Sequence, residues 1–228
     1  FEQAIAYIEE LHGPEVLAQE ICDVFSKTGN IQDITLHIAE LFKDTLITTN
    51  YDRLLEQVFD TGTTSPVQVI NGVNAMEQPA PDKTTIIKMH GDIKYPQRCI
   101  LGKAQYDAAY GEAKLDLERP IPKMLRYYFT NNSLLFIGCS LKNDRTIQAF
   151  KAVKEAEKKE TKDFSFPQHF AIEQAPESAG ACSSRNSQLV QLGISPIWYQ
   201  QGQHDQVEAI LRQALHELNY KKAQIASL

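Results

Sequence analysis

The stretch Leu46-Ile47-Thr48-Thr49-Asn50-Tyr51-Asp52-Arg53-Leu54-Leu55-Glu56 decides the fold of this chain. A β-branched run ends at an asparagine, and apolar residues with helical spacing follow it. The stretch therefore predicts a strand, a polar elbow and a helix. Residues 86–91 and 134–141 follow a similar plan, in which a short apolar strand ends in small polar residues. Three such strand ends indicate one site.

The composition predicts a single cytoplasmic domain. The chain has 228 residues, enough to bury a core without disulfides or metals. It is 43% hydrophobic and 23% charged, and it contains no run of about 18 apolar residues that could span a membrane. The first ten residues contain three glutamates and no basic residue, so we expect no signal peptide. We therefore expect no membrane partner.

The charge pattern disfavours direct nucleic-acid binding. The formal net charge is −6, whereas affinity for phosphate backbones comes from clustered Lys and Arg. The lysine-rich residues 151–162 have interleaved glutamates, which is typical of a solvated helix face. Cys22, Cys99, Cys139 and Cys182 lie far apart in sequence, so we expect them to be buried small hydrophobic residues rather than a metal or redox site.

The order of the predicted elements favours an α/β fold. Apolar spacing predicts helices through residues 1–43. Strands are predicted at 46–49, 67–70, 84–89, 134–137, 168–172 and 194–199, with a brief further strand at 99–101. Helices are predicted after most of these strands, including 103–110, one that starts at Pro120–Pro122, one that is capped by Asn143 or Asp144 and runs toward 159, and 206–218. Strands that alternate with helices imply a mainly parallel sheet covered on both faces. A loop and a short helix are predicted over residues 175–192, and the small-residue loop 173–187 is the best candidate for a mobile segment.

Asn50, His90 and Ser140 follow three of these strands. In open parallel sheets, ligands bind outside the carboxyl ends of the strands, where helix N-termini also present N–H groups to anions. An asparagine amide can orient a ribose hydroxyl or a water, and a histidine exchanges a proton near neutral pH. Gly138 would let a ligand approach the backbone closely. The three strand ends therefore predict a nucleotide site.

Each of these residues also has a structural explanation. Asn50 or Asp52 would suit the N-cap of the helix that follows. His90 before Gly91 is also typical of a turn, and residues 138–140 suit an ordinary connection from strand to helix. The combination, rather than any one residue, indicates a site.

These motifs resemble the sirtuin superfamily, and more closely its prokaryotic branch found in anti-phage defence proteins. Thr48-Thr49-Asn50-Tyr51-Asp52 is similar to the family's T-Q-N-I-D elbow, and His90-Gly91 to its catalytic His-Gly. Gly138-Cys139-Ser140-Leu141 is similar to its G-T-S-L turn. Residues 100–106 and 193–204 resemble the segment after the histidine and the last strand of the prokaryotic branch.

The resemblance implies a Rossmann-like fold that binds NAD and cleaves its nicotinamide–ribose bond. Asn50 would position the ribose and the attacking water, and His90 would act as the base. Thr49 and Asp52 would lie on the nicotinamide side. Contacts on the adenosine side would come from Gly138, Ser140 and Leu141. We expect a single domain over residues 1–228, with 1–43 as a helical insertion and 44–218 as the Rossmann-like core.

Two departures from the family qualify this expectation. Sirtuin deacylases bind zinc through two C-x-x-C pairs, which this chain lacks. We therefore expect no zinc and favour an NAD hydrolase over a deacylase. The family's Gly-rich pyrophosphate loop is also absent, so we expect a fragment of a longer chain whose first βα unit precedes Phe1.

Three functions follow from the resemblance. The first is an NAD hydrolase that produces nicotinamide and ADP-ribose and depletes NAD during infection. The second is an NAD-dependent deacylase or ADP-ribosyltransferase, and the third is an inactive nucleotide-binding or assembly module. Expected partners are other copies of the chain, which would assemble through the N-terminal helices, and other domains or subunits of a defence system.

Overall fold

The computed structural model describes residues 2–26, 30–62, 66–142, 145–160 and 165–226. The chain divides into two units. Unit 1 comprises Phe1–Glu112 and Ile210–Leu228, and unit 2 comprises Ala113–Ala209. Within the described ranges, no helix is long and apolar enough to cross a membrane.

Unit 1 begins with the three helices that the sequence predicts. Its elements are α1 (Glu2–His12), α2 (Pro14–Phe25), α3 (Asp33–Leu41), β1 (Thr45–Thr48), α4 (Leu54–Gly62), β2 (Val67–Asn71), β3 (Thr84–Lys88) and α5 (Lys103–Tyr110). Three strands form a parallel sheet in the order β1-β3-β2, with Thr48 opposite Lys88. β2 is at the edge of this order. All five residues of the central strand β3 are buried, as expected for a parallel strand covered on both faces.

The sheet of unit 1 is covered by α3 and α4. Ala39, Val58 and Phe59 pack with Ile86 of the central strand in one buried cluster. Fully burying a side chain such as Phe59 or Ile86 contributes about 1.5–3 kcal/mol. This packing fixes the direction in which α4 leaves the elbow.

The first two helices pack on the segment that follows His90. Leu17 and Ile21 of α2 form a buried cluster with Ile93, Cys99 and Leu101. Phe25 also meets Tyr51 of the elbow edge to face, with ring centroids 5.7 Å apart. The helical opening therefore supports the two loops that carry the predicted site.

Unit 2 contains a second three-stranded sheet. Its elements are α6 (Pro120–Asn131), β4 (Leu135–Ile137), α7 (Arg145–Glu160), β5 (His169–Gln174), α8 (Ala179–Gln191) and β6 (Ile194–Tyr199), and α9 (Asp205–Ala226) starts here and ends in unit 1. The strand order is β4-β5-β6, and every strand pairing described in either unit is parallel. The predicted α/β, Rossmann-like fold class is confirmed.

Two predictions about local structure were wrong, and one about a helix is confirmed. Residues 99–101 form a buried loop and not a strand. The Ile100 N–H donates to the carbonyl of His90, at the end of the preceding turn, at 2.8 Å. The helix predicted within 175–192 is the 13-residue α8, capped by Ser178, whose Oγ accepts from the Ala181 N–H. The last helix continues to Ala226, beyond the predicted end. The predicted caps Asn143 and Asp144 lie outside the described residues.

The core of unit 2 holds a neutral histidine. Phe129 stacks on Phe150 at 4.4 Å and on His169 at 4.3 Å between ring centroids. The Leu134 N–H donates to His169 Nδ1 at 3.2 Å. Burial lowers the pKa of His169 to about 4, and the charge of Lys154 contributes. The imidazole therefore remains neutral at physiological pH.

We expect His169 to make unit 2 sensitive to acid. The pKa of His169 lies below the usual value of 6.5, so the unfolded chain binds this proton first. The stability that the neutral ring contributes is complete above pH 6.5 and is lost as the pH falls toward 4. Urea titrations at several pH values in this range measure the free energy of unfolding. The decrease on acidification should be smaller in His169→Asn, which keeps an acceptor, by up to about 3 kcal/mol. The exposed His216→Asn is the control, and an unchanged pH slope in His169→Asn would contradict this assignment.

Candidate active site

The elbow after β1 places Asn50 on the surface. Thr49 and Asn50 are exposed, and the Asn50 N–H donates to Thr48 Oγ1 at 3.1 Å. The Leu54 N–H donates to Asp52 Oδ1 at 3.0 Å. Asp52 rather than Asn50 therefore caps α4, and the Asn50 amide faces outward.

The carboxyl ends of β1 and β3 are joined beyond the sheet. The Met89 N–H donates to the Thr48 carbonyl at 2.8 Å, and the Ile93 N–H donates to the Tyr51 carbonyl at 3.0 Å. These bonds hold the elbow beside the turn that carries His90. Asn50 and His90 therefore follow adjacent strands at the same edge of one parallel sheet, where ligands bind in folds of this kind.

Lys88 is a residue of this site that the sequence reasoning missed. Its side chain is completely buried, and Nζ donates to the Asp52 carbonyl at 2.5 Å and to Glu56 Oε1 at 2.9 Å. Nζ also donates to the Tyr51 carbonyl at 3.2 Å and lies 3.4 Å from Asp92 Oδ2. One cation thus links the elbow, the first turn of α4 and the turn after β3. The signal for it was a lysine directly after Ile86 and Ile87, at the end of a strand predicted to be buried.

His90 lies between two tyrosine hydroxyls. Its side chain is 8% exposed, with Nε2 2.8 Å from Tyr110 Oη and Nδ1 3.4 Å from Tyr106 Oη. A neutral imidazole has one donor and one acceptor nitrogen, and a hydroxyl can serve either. These contacts fix the orientation of the ring.

Burial keeps the neighbouring acidic groups protonated. Tyr51 Oη donates to the Ile100 carbonyl at 2.7 Å, and burial, helped by Tyr106, raises the Tyr51 pKa. Burial raises the pKa of the Cys99 thiol to about 11, and the charge of Asp92 adds to this shift. Cys99 is therefore not a thiolate nucleophile at neutral pH.

Gly91 is required by the turn after His90. Its φ is +106°, and a Cβ there would lie 2.9 Å from Cys99 Cα. We expect Gly91→Ala to lower the free energy of unfolding by about 2–3 kcal/mol, because backbone strain and overlap add. Gly13→Ala is the control, because Gly13 has a φ of +81° and nothing lies within 4 Å of the added Cβ. It should lower the free energy of unfolding by about 1 kcal/mol, with both variants measured by urea titration. Equal losses would contradict the overlap.

The predicted adenosine-side residues lie together in unit 2. Gly138 has a φ of +69° and Leu141 a φ of +44°, which is strained for a leucine. Arg185 holds this loop: its guanidinium donates to the Ser140 carbonyl at 2.9 Å and to the Leu141 carbonyl at 3.1 Å. Glu173 fixes Arg185 in turn. Arg185 is a second residue that the sequence reasoning missed, because its partners are far from it in sequence.

The prediction that the cysteines are all buried was wrong. Cys99 is buried, whereas Cys139 is exposed beside Ser140 and the other two are intermediate. Among the residues that the structure describes, no group of His, Cys, Asp and Glu could hold a metal ion.

A family model and two curated relatives match parts of this chain. A model of the SIR2-like domain matches residues 44–197. An NAD(+) hydrolase ThsA from Cytobacillus dafuensis is 30% identical over 138 residues, which are 60% of this chain and 27% of that protein. Another, from Bacillus cereus (strain MSX-D12), is 29% identical over 126 residues, which are 54% of this chain and 25% of that protein.

The chain thus spans about a quarter of the length of these curated relatives. The family match starts just before β1 and includes the elbow, His90 and the Gly138–Leu141 loop. The resemblance that the motifs indicated is therefore confirmed. This chain belongs to the SIR2-like domain family.

Proposed function

We propose that this protein is an NAD hydrolase that cleaves the nicotinamide–ribose bond and releases nicotinamide and ADP-ribose. One observation carries the proposal: Asn50 and His90 follow adjacent parallel strands whose ends are held together by backbone bonds and Lys88. The names of the two relatives support NAD as the substrate.

The chemistry assigns different tasks to the two residues. The exposed Asn50 amide orients the nicotinamide ribose and a water. The water oxygen forms a bond to ribose C1′ while the bond from C1′ to the nicotinamide nitrogen breaks. Nicotinamide leaves with the electron pair, and the proton of the water passes to His90. A general base in this position typically contributes a factor of about 10²–10⁴ to the rate.

The remaining predicted residues have supporting tasks in this proposal. Asp52 caps α4 and lies with Thr49 on the nicotinamide side. Gly138, Ser140 and Leu141 contact the adenosine side through the loop that Arg185 holds. No zinc takes part.

Product analysis of the full-length protein tests this function. NAD is incubated with the protein alone and with an acetyl-lysine peptide, and nicotinamide, ADP-ribose and O-acetyl-ADP-ribose are measured by chromatography. Equal amounts of nicotinamide and ADP-ribose without peptide support hydrolysis. Nicotinamide release that requires the peptide would instead assign the protein as a deacylase, and ADP-ribose attached to protein would assign it as a transferase.

A nucleotide-binding or assembly module without catalysis is the second candidate. The burial of His90 and its two tyrosine contacts would also suit a purely structural histidine. NAD binding measured by calorimetry, with no turnover by the full-length protein or by its complex with defence partners, would favour this function.

Assembly and a defence role complete the proposal. The first two helices expose apolar side chains: Tyr7 is 63%, Leu11 56% and Val24 60% exposed. Exposed apolar surface of this kind supports a homo-oligomer formed through these helices. We assign the NAD loss to anti-phage defence in the cytoplasm, together with other domains or subunits of the system. Light scattering of Leu11→Lys/Val24→Lys tests assembly, and an unchanged mass would contradict this interface.

A further inference from the structure

Unit 2 contains a wide groove that lies between α7 and α8. Its volume is about 850 Å³, within the range of about 300–1,000 Å³ typical of small-molecule sites. The groove is lined at one end by Leu141 and Lys142, next to the loop that Arg185 holds.

The groove concentrates positive charge in an acidic protein. Lys151, Lys154 and Lys158 line it from α7, and Lys142 adds a fourth amine. Helical spacing places the three α7 lysines on one face together with Glu155, the one carboxylate among the groove residues. Four lysines against one glutamate give a local excess of positive charge, although the chain as a whole has a net charge of −6.

The sequence predicts a solvated face for this helix, and Lys151, Glu155 and Lys158 are exposed. Glu157 has a partner outside α7: Arg126 Nε donates to Glu157 Oε1 at 3.0 Å. Glu173 is likewise occupied by Arg185. These two carboxylates are therefore not free to balance the lysines.

Lys154 is the groove lysine whose position is fixed by a hydrogen bond. Burial, together with the charge of Lys158, lowers its pKa. Its Nζ donates to the Gln191 carbonyl of α8 at 2.9 Å, which fixes the ammonium between the two helices. Within the described ranges, no carboxylate lies within ion-pair distance of Lys142, Lys151 or Lys158. The groove thus presents one fixed cation and three further amines.

We propose that this groove binds a small anion that carries at least two phosphate groups. Lysines bind phosphate as point charges, and a diphosphate can engage several of them at once. The groove residues come mostly from two helices, and the chain as a whole has a net charge of −6, which favours a small anion over a nucleic acid. This phosphate binding goes beyond the NAD cleavage proposed for Asn50 and His90 and does not require it.

Isothermal titration of the full-length protein with sodium pyrophosphate at low ionic strength tests this site. Lys151→Glu/Lys158→Glu reverses two exposed charges in the groove. Lys221→Glu/Lys222→Glu on α9 makes the same change in net charge elsewhere and is the matched control. We expect pyrophosphate to bind the wild type and the control equally, and the groove variant to raise Kd by about tenfold or more.

Further titrations separate the possible sources of the phosphates. If ATP binds more tightly than pyrophosphate and this gain disappears in the groove variant, the ligand is a nucleotide. Equal affinities indicate recognition of the phosphates alone, and both results support the site. If pyrophosphate does not bind the wild type, or if the groove and control variants have the same Kd, the proposal is wrong.

Discussion

His90→Ala is expected to lower the rate of NAD cleavage by about 10²–10⁴-fold, because it removes the base that accepts the proton from water. His90 is suited to this task by its place at the end of β3 and by the hydroxyl of Tyr110, 2.8 Å from Nε2. The rate of nicotinamide release by the purified full-length protein at saturating NAD measures the effect. KM should change much less than kcat, since the base acts on the water rather than on substrate binding.

Two further variants separate catalysis from folding in this experiment. His90→Gln keeps a polar side chain in the same surroundings, so it should retain the thermal midpoint and still lose most of the activity. His216→Ala replaces an exposed histidine of α9 and should leave both unchanged. Wild-type turnover by folded His90→Ala would show that another group is the base, or that none is required.

Lys88→Met is expected to lower the free energy of unfolding by about 3–5 kcal/mol, because it leaves buried carboxylates without their cation. Glu56 is 3% exposed and Asp92 is 5% exposed, and both lie within ion-pair distance of Lys88 Nζ. The substitution also removes the donor to the Asp52 carbonyl, so the elbow that carries Asn50 loses its tie to β3. Urea denaturation followed by fluorescence measures the loss.

Two further variants distinguish the loss of a buried cation from the loss of any lysine. Lys83→Met removes an exposed lysine just before the same strand and should change stability by no more than about 0.5 kcal/mol. Lys88→Met/Glu56→Gln removes one of the two buried carboxylate charges that Lys88→Met leaves without a cation. It should recover part of the lost free energy of unfolding. If Lys88→Met is no more destabilising than Lys83→Met, Lys88 does not hold the elbow.

Much of the fold could be predicted because its signals are local. The β-branched run before Asn50 and the apolar spacing after it specify a strand and a helix, which the structure contains as β1 and α4. The same reasoning predicted α5 and β6 with their observed bounds. It was wrong for residues 99–101, where a short apolar run fits a buried loop as well as a strand.

The candidate site was predicted only in part. Asn50, His90 and Ser140 were identified because each follows a strand and each has a side chain suited to chemistry. Lys88 and Arg185 were missed, because a lysine or an arginine in a sequence does not reveal which oxygens it will meet. Their partners are separated from them by between 4 and 45 residues.

The sequence by itself determined the order of strands and helices, the positions of the polar strand ends and the family to which the chain belongs. These properties depend on side-chain periodicity, turn residues and short motifs, which act within a few residues. The tertiary structure alone decided that Asp52 and not Asn50 caps α4, that Lys88 links the elbow to the His90 turn, and that Glu157 of α7 pairs with Arg126. Each of these depends on burial and on contacts that form only when the sheet places distant segments side by side, because a charge is removed from water only there.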